Sequence, residues 1–137
     1  PPVPKDVSVA LDGYSDETRD KLLEVRRLVY AVAHENPEIG ELTETLKWGE
    51  PAFLTEETKS GSTLRMGTVR KTSQPAIFVS CNTTMAADFK ERFHGVLEIT
   101  EPRDIMIPDV AANEDVLKEC IRLVLTYHNR KRPKKQE

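Results

Sequence analysis

Residues 46–53 constrain the fold of this chain more than any other part of the sequence. They contain the only tryptophan, Trp48, together with Gly49 and Pro51, and apolar residues lie on both sides. Glycine is typical of a helix end, and the proline biases Glu50 toward extended backbone. The segment therefore predicts a rigid corner at which the chain passes from a helix to a sheet.

The length and composition indicate one domain. A chain of 137 residues can bury one hydrophobic core, and no apolar run reaches the roughly 18–20 residues of a membrane-spanning helix. Residues 1–6 lack the pattern of a signal peptide. Cys81 and Cys120 lie in separate apolar segments, which favours two buried, reduced thiols. We therefore expect a cytoplasmic protein that does not enter the membrane.

Charge is distributed unevenly along the chain. The segment 130–137 carries five of the 20 basic residues and one of the 23 acidic residues. It is predicted to be a basic, disordered tail. Residues 1–129 are consequently acidic, which does not suit a nucleic-acid backbone, because that partner requires a basic protein face. A small molecule or another protein is the expected partner.

The predicted elements follow the order ααβββαββα. Residues 1–14 contain three prolines and are expected to be an extended lead-in. Ser15 predicts the N-cap of a helix over 16–34, and a short second helix is expected to begin at Asn36 and Pro37 and to end at Gly49 and Pro51. The later segments are predicted as strands at 53–54, 63–69, 75–81, 96–99 and 104–107 and as helices at 84–94 and 114–129. This order indicates a compact α+β domain over 15–129, with a mainly antiparallel five-stranded sheet packed with helices.

Common cofactor and catalytic motifs are absent from the sequence. It has no Walker loop, dinucleotide fingerprint, paired-cysteine metal site or nucleophile elbow. His34, His94 and His128 each fall near a predicted helix end, where the helix dipole and free carbonyls suit a histidine. The residues therefore predict no catalytic histidine and no resident cofactor.

Three carboxylates, Asp16, Asp20 and Glu24, recur on one face of the first long helix. Their oxygens are the ligands that hard cations such as iron or calcium prefer, so the row is a candidate metal site. Arg19 and Arg27 lie beside the row, and a solvated, salt-bridged helix face explains the same pattern. Both interpretations remain open.

Cys81 and Asn82 stand where a buried strand is predicted to give way to a helix. A thiol near a helix N-terminus has a lowered pKa, and the backbone amides there can hold an anion. The two residues are therefore candidates for a ligand site, and Cys81 is a candidate nucleophile. The alternative is a small core residue followed by a helix cap.

The corner itself is the leading candidate site. Lys47, Trp48 and Glu50 are expected to converge there, with Arg65 on a neighbouring strand. An indole and a cation together can form one wall of a pocket for a planar or anionic ligand. Alternatively, the indole fills the base of the core and its N–H binds a backbone carbonyl.

Several segments resemble the YdhG-like family, a family of unknown function. The similar residues are 46–53, 62–66, 78–84, Asp88, Phe89, Arg92, Phe93, Leu117, Cys120, Ile121 and 125–128. The resemblance extends over about 18–128, and its most specific element is the Lys-Trp-Gly-x-Pro corner. It implies a compact α+β domain. Some relatives are described as frataxin-like intracellular iron chaperones, so the resemblance also implies an iron-binding role as an alternative.

These observations lead to one principal hypothesis and two alternatives. The principal hypothesis is a non-enzymatic domain that binds a small or anionic ligand. Its predicted site consists of Lys47, Trp48, Glu50, Arg65, Cys81 and Asn82. The first alternative is an iron chaperone that uses Asp16, Asp20 and Glu24. The second is an enzyme in which Cys81 is the nucleophile.

Overall fold

Residues 1–131, which the computed structural model describes, form six strands and five helices. The helices are α1 (Lys5–Asp12), α2 (Asp16–Glu35), α3 (Met85–Arg92), α4 (Glu114–Leu125) and α5 (Tyr127–Lys131). The strands are β1 (Thr43–Lys47), β2 (Glu50–Leu54), β3 (Leu64–Thr68), β4 (Pro75–Phe78), β5 (Ile99–Thr100) and β6 (Asp104–Met106). One antiparallel sheet has the order β1-β2-β3-β4-β6-β5. The predicted α+β domain is confirmed, with six strands instead of five.

The long helix α2 begins where its capping residue predicts. The hydroxyl of Ser15 accepts a hydrogen bond from the Thr18 amide at 3.2 Å, and acidic residues occupy the first turn. Such a cap satisfies an amide that has no partner within the helix. The buried side chains of α2 follow helical spacing and include Leu22, Val25, Leu28, Val29 and Val32. The predicted helix over 16–34 is thus confirmed.

The sheet buries one face beneath the helices. Side chains of that face alternate along the strands and include Phe53, Leu64, Met66, Ile77 and Ile105, all inaccessible to solvent. They pack with apolar residues of α1, α2, α3 and α4 in one cluster. Each large side chain that is fully buried stabilises the fold by about 1.5–3 kcal/mol. The opposite face, which we call the cleft face, carries a small separate cluster of Ala76, Phe78 and Met106.

The N-terminal segment differs from the prediction. Residues 1–14 are not an extended lead-in, because Lys5–Asp12 forms α1. The three prolines all precede this helix, where they do not interrupt its hydrogen bonds. Val7 and Leu11 are one helical turn apart, and both are buried in the core. Burial of these two apolar side chains stabilises α1, whereas the prolines alone favour an extended segment.

The prediction of a second helix from Asn36 and Pro37 to Gly49 is wrong. Only Pro37–Ile39 forms a helical turn, of the 3-10 type, and Thr43–Lys47 is the edge strand β1. The corner at 46–53 is therefore a hairpin between two strands and not a helix-to-sheet junction. Thr43 and Thr45 are β-branched, and such residues favour strands over helices.

A buried carboxylate, Glu44, joins β1 to α2. Its side chain is 3% exposed and accepts hydrogen bonds from Arg26 Nε at 2.6 Å and from Tyr30 Oη at 2.7 Å. Burial, followed by the hydrogen bond to Glu44, raises the pKa of Tyr30 to about 12. Arg26 also donates to the carbonyl oxygens of Pro1 and Pro2. One carboxylate thus connects the edge strand, the long helix and the N-terminus.

The C-terminal region also differs in detail from the prediction. The expected helix over 114–129 is interrupted after Leu125, where the Thr126 hydroxyl donates to the carbonyl oxygen of Arg122 at 2.7 Å. Arg130 lies in α5, so the disordered tail predicted for 130–137 is wrong at its first residues. Residues 132–137 lie outside the described part of the chain. Every helix within residues 1–131 is too short or too polar to cross a membrane.

Replacing Glu44 by glutamine leaves the Arg26 guanidinium buried without a counter-charge. We expect Glu44→Gln to lower the free energy of unfolding by about 3 kcal/mol, measured by urea denaturation. The control is Glu41→Gln, which neutralises an exposed carboxylate before β1 and should change that free energy by less than about 0.5 kcal/mol. Equal stability of the two variants would contradict the role assigned to Glu44.

Candidate functional site

The hairpin between β1 and β2 presents the indole of Trp48 to solvent. Lys47 pairs with Glu50, and the two residues between them, Trp48 and Gly49, have φ angles of 55° and 77°. Two consecutive positive φ angles are characteristic of a type I′ turn, for which asparagine and glycine are preferred. Trp48 is 89% exposed, so it does not fill the core. A bulky side chain in this conformation costs about 1–2 kcal/mol and stabilises the fold through no burial.

A row of cross-strand neighbours forms the floor of the site on the cleft face. Ala52 pairs with Arg65, Arg65 with Phe78, and Phe78 with Asp104. Because paired residues share one face of a sheet, the row places a cation, an aromatic ring and a carboxylate side by side. The row crosses four strands, so the site depends on the register of β2, β3, β4 and β6.

Two guanidinium groups lie over the ring of Phe78. The Cζ atoms of Arg65 and Arg103 are 5.4 and 5.7 Å from the ring centroid. Both distances fall within the range of cation–π attraction, which offsets part of the repulsion between the two cations. Nη1 of Arg65 also donates to the Glu50 carboxylate. Arg65 is thereby held on two sides, whereas Arg103 is held mainly by the ring and has a half-exposed side chain.

Glu50 reaches over the neighbouring strand because that strand has a glycine opposite it. A methyl group at Gly67 would lie 2.7 Å from Glu50 Oε2 and 3.0 Å from the hydroxyl of Tyr14. A methyl group there would displace the Glu50 carboxylate from its present position. Burial, and then the nearby Glu50 charge, raises the pKa of Tyr14. The small residue at Gly67 thus permits the Glu50–Arg65 ion pair.

Two adjoining clefts open beside this row, each lined by residues of several elements. The first, which we call the arginine cleft, has a volume of about 630 Å³ and is lined by Trp48, Glu50, Arg65, Thr68, Val69, Arg70, Lys71, Phe78, Arg103 and Asp104. The second, the cysteine cleft, has a volume of about 620 Å³ and is lined by Lys47, Trp48, Gly61, Ser62, Thr63, Arg65, Val79, Ser80, Cys81, Asn82, Arg103 and His128. Both volumes suit a small-molecule ligand. Three residues, Trp48, Arg65 and Arg103, border both clefts.

The clefts are basic although the chain as a whole has a formal charge of -3. They contain five basic side chains against two carboxylates. Glu50 binds Arg65, and Asp104 lies 3.6 Å from Arg103 Nε. Within residues 1–131, the other three cations, Lys47, Arg70 and Lys71, make no ion pair. These cations are available to an anionic ligand.

One wall of the cysteine cleft is fixed to the end of α4. The Ser60 hydroxyl donates to the carbonyl oxygen of Leu125 at 2.8 Å, and the amide of Ser62 donates to that of Val124 at 3.0 Å. These bonds satisfy carbonyl groups that a helix terminus leaves without partners. They hold the loop between β2 and β3 in place beside Lys47 and Trp48.

The structure brings together all six residues of the predicted ligand site. Glu50 lines the arginine cleft, Lys47, Cys81 and Asn82 line the cysteine cleft, and Trp48 and Arg65 border both. One detail was predicted wrongly, because Cys81 is exposed and only Cys120 is buried. Burial raises the pKa of Cys120 to about 12, which makes that thiol unreactive. Over the described residues, no side chain is hydrogen-bonded to the sulfur of Cys81.

The carboxylate row on α2 does not form a cluster. Asp16, Asp20 and Glu24 are exposed, and Asp16 binds Arg19 at 3.1 Å. Arg27 on the same helix binds Glu114 at 2.9 Å. In the part of the chain that the structure describes, no three His, Cys, Asp or Glu side chains are placed to hold a metal ion. The arrangement matches the salt-bridged helix face that was the alternative interpretation.

Sequence reasoning missed several residues of the clefts. The missed residues are Phe78, Arg70, Lys71, Arg103 and Asp104. For Phe78 a signal existed, because alternation along β4 places it on the opposite face from the core residue Ile77. For Arg103 no local signal existed, since its position depends on how β6 pairs with β4.

Similarity to known proteins does not indicate a function for this chain. No protein-family model, curated protein or solved structure matches the chain. Membership of the YdhG-like family consequently stays a prediction, and the function has to be inferred from the clefts themselves.

Replacing Trp48 by asparagine tests whether the indole contributes to folding. We expect Trp48→Asn to raise the free energy of unfolding by about 1 kcal/mol, because asparagine tolerates the positive φ of this turn. Urea denaturation followed by circular dichroism measures the change. The control is Phe53→Ala, which opens a cavity in the core and should cost about 3–5 kcal/mol. A loss of more than 1 kcal/mol in Trp48→Asn would show that the indole packs against the fold.

Proposed function

We propose that this protein is a non-enzymatic binding domain whose ligand is a small anion. The observation that carries the proposal is the position of Trp48 and Arg103 at the border of both clefts. Neither side chain is needed to fill the core, and Trp48 occupies an unfavourable backbone conformation. Residues held in an unfavourable backbone conformation cluster at binding sites, which supports a role for Trp48 in ligand contact.

The positive charge of the clefts favours a negatively charged ligand. Five basic side chains surround a space in which only two carboxylates offset them. Concave sites lined by one sign of charge concentrate ligands of the opposite sign. Glu50 takes one Arg65 nitrogen, Nη1, and within residues 1–131 the other guanidinium nitrogens of Arg65 remain without a partner. Arginine donors in this arrangement suit phosphate or carboxylate oxygens.

The iron-chaperone and enzyme hypotheses are supported by fewer structural observations. The iron-chaperone hypothesis depends on Asp16, Asp20 and Glu24, which are dispersed along an exposed helix face. An enzymatic role for Cys81 needs a base to activate the thiol, and His128 lines the same cleft without a hydrogen bond to it. Both hypotheses, and the cytoplasmic location, stay predictions.

A thermal-shift screen with phosphate, pyrophosphate and small carboxylic acids tests the proposed function. A ligand that binds only the folded state raises the melting temperature. We expect at least one of these anions to do so, and Arg103→Gln to weaken its binding at least about tenfold, as for loss of a charged hydrogen bond. The control is Arg27→Gln, an exposed arginine outside both clefts, which should bind as the wild type does. No shift with any anion would overturn the proposal.

A further inference from the structure

We infer that the ligand is a nucleotide, with its phosphate at Arg65 and Arg103 and its base stacked on Trp48. The inference rests on the proposed function and specifies its ligand. It begins from the three residues that both clefts share, which are one indole and two guanidinium groups. A ligand that contacts all three combines an anionic group with a planar ring that can stack on the indole.

The phosphate position follows from the two arginines. Their guanidinium groups are gathered over a single ring, Phe78, and Arg65 is further held by Glu50. Glu50 offsets the charge of Arg65, and Asp104 lies 3.6 Å from Arg103 Nε, so an anion at this position binds through the guanidinium donors that the two carboxylates leave unused. The planar guanidinium donates two parallel hydrogen bonds to phosphate oxygens, which a lysine cannot do. Arg65 and Arg103 thus form a preorganised phosphate site.

The base position follows from Trp48. Its side chain projects from a two-residue turn and is almost fully exposed, so a planar group can approach it without displacing any part of the core. Stacking of a base on an aromatic side chain contributes about 1–3 kcal/mol and tolerates any of the bases. Inorganic phosphate would leave this surface unused, and an uncharged aromatic molecule would leave the arginines unused.

The remaining cations accommodate a second phosphate. Arg70 and Lys71 line the arginine cleft and Lys47 lines the cysteine cleft, and the three make no ion pair within the described residues. Each cleft is large enough for one nucleotide. The overall charge of -3 opposes a long polyanion, so the expected source is a free nucleoside diphosphate rather than a nucleic-acid strand.

Isothermal titration of the full chain tests this inference with three probes: adenosine diphosphate, pyrophosphate and adenosine. We expect adenosine diphosphate to bind at least about tenfold more tightly than either of the others, because only it reaches both the arginines and the indole. In Trp48→Asn its affinity should fall to that of pyrophosphate. In Arg103→Gln both phosphate probes should weaken together, whereas Arg27→Gln should leave all affinities unchanged.

The outcomes separate the inference from the proposed function. If pyrophosphate binds as tightly as the diphosphates of adenosine, guanosine, cytidine and uridine, and Trp48→Asn affects none of them, the nucleotide inference is overturned and anion binding stands. If no anion binds, both fail. A six-residue oligouridylate distinguishes the source of the nucleotide. If the oligouridylate, with its affinity expressed per strand, binds more weakly than uridine diphosphate, the result supports a free nucleotide. If the oligouridylate binds at least tenfold more tightly, the result supports a single strand with the same base and phosphate contacts.

Discussion

The hydrogen bonds of Glu44 are the interaction on which the rest of the structure depends. A carboxylate at 3% exposure is stable only when donors replace its lost water, and Arg26 and Tyr30 supply them. These bonds fix β1 against α2 as the edge of the sheet. Once β1 is a strand, its pairing with β2 closes at a two-residue turn. The buried ion pair thus holds in place the strand from which the turn with the exposed Trp48 projects.

The cleft face shows how a sheet can build a basic site on an acidic protein. Successive cross-strand pairs bring Arg65, Phe78 and Asp104 into one row, and the turn before β6 adds Arg103. Cation–π attraction to the Phe78 ring holds the guanidinium groups of Arg65 and Arg103 close together. The positive charge is thus concentrated in two adjoining clefts, while carboxylates such as Asp16 and Asp20 remain dispersed on the surface.

Local signals in the sequence predicted much of the fold. The Ser15 cap specified α2, and the nearly continuous apolar run at 75–81 contains β4, a buried interior strand. The segment 36–46 was misassigned because its leucines fit helical spacing, whereas the partner that decides its structure, Arg26, lies on α2. The six predicted ligand residues lie together because the corner, β3 and the end of β4 are each local features. Arg103 could not be predicted, since only strand pairing brings it to the site.

Nuclear magnetic resonance titration with adenosine diphosphate tests the central claim most directly, namely that the clefts beside Trp48 hold an anion. The chain has one tryptophan, so a single indole resonance reports on that position. We predict that adenosine diphosphate shifts this resonance together with the backbone amide signals of Lys47, Arg65 and Arg103. Saturable shifts confined to other surfaces, with the indole signal unmoved, would contradict the account.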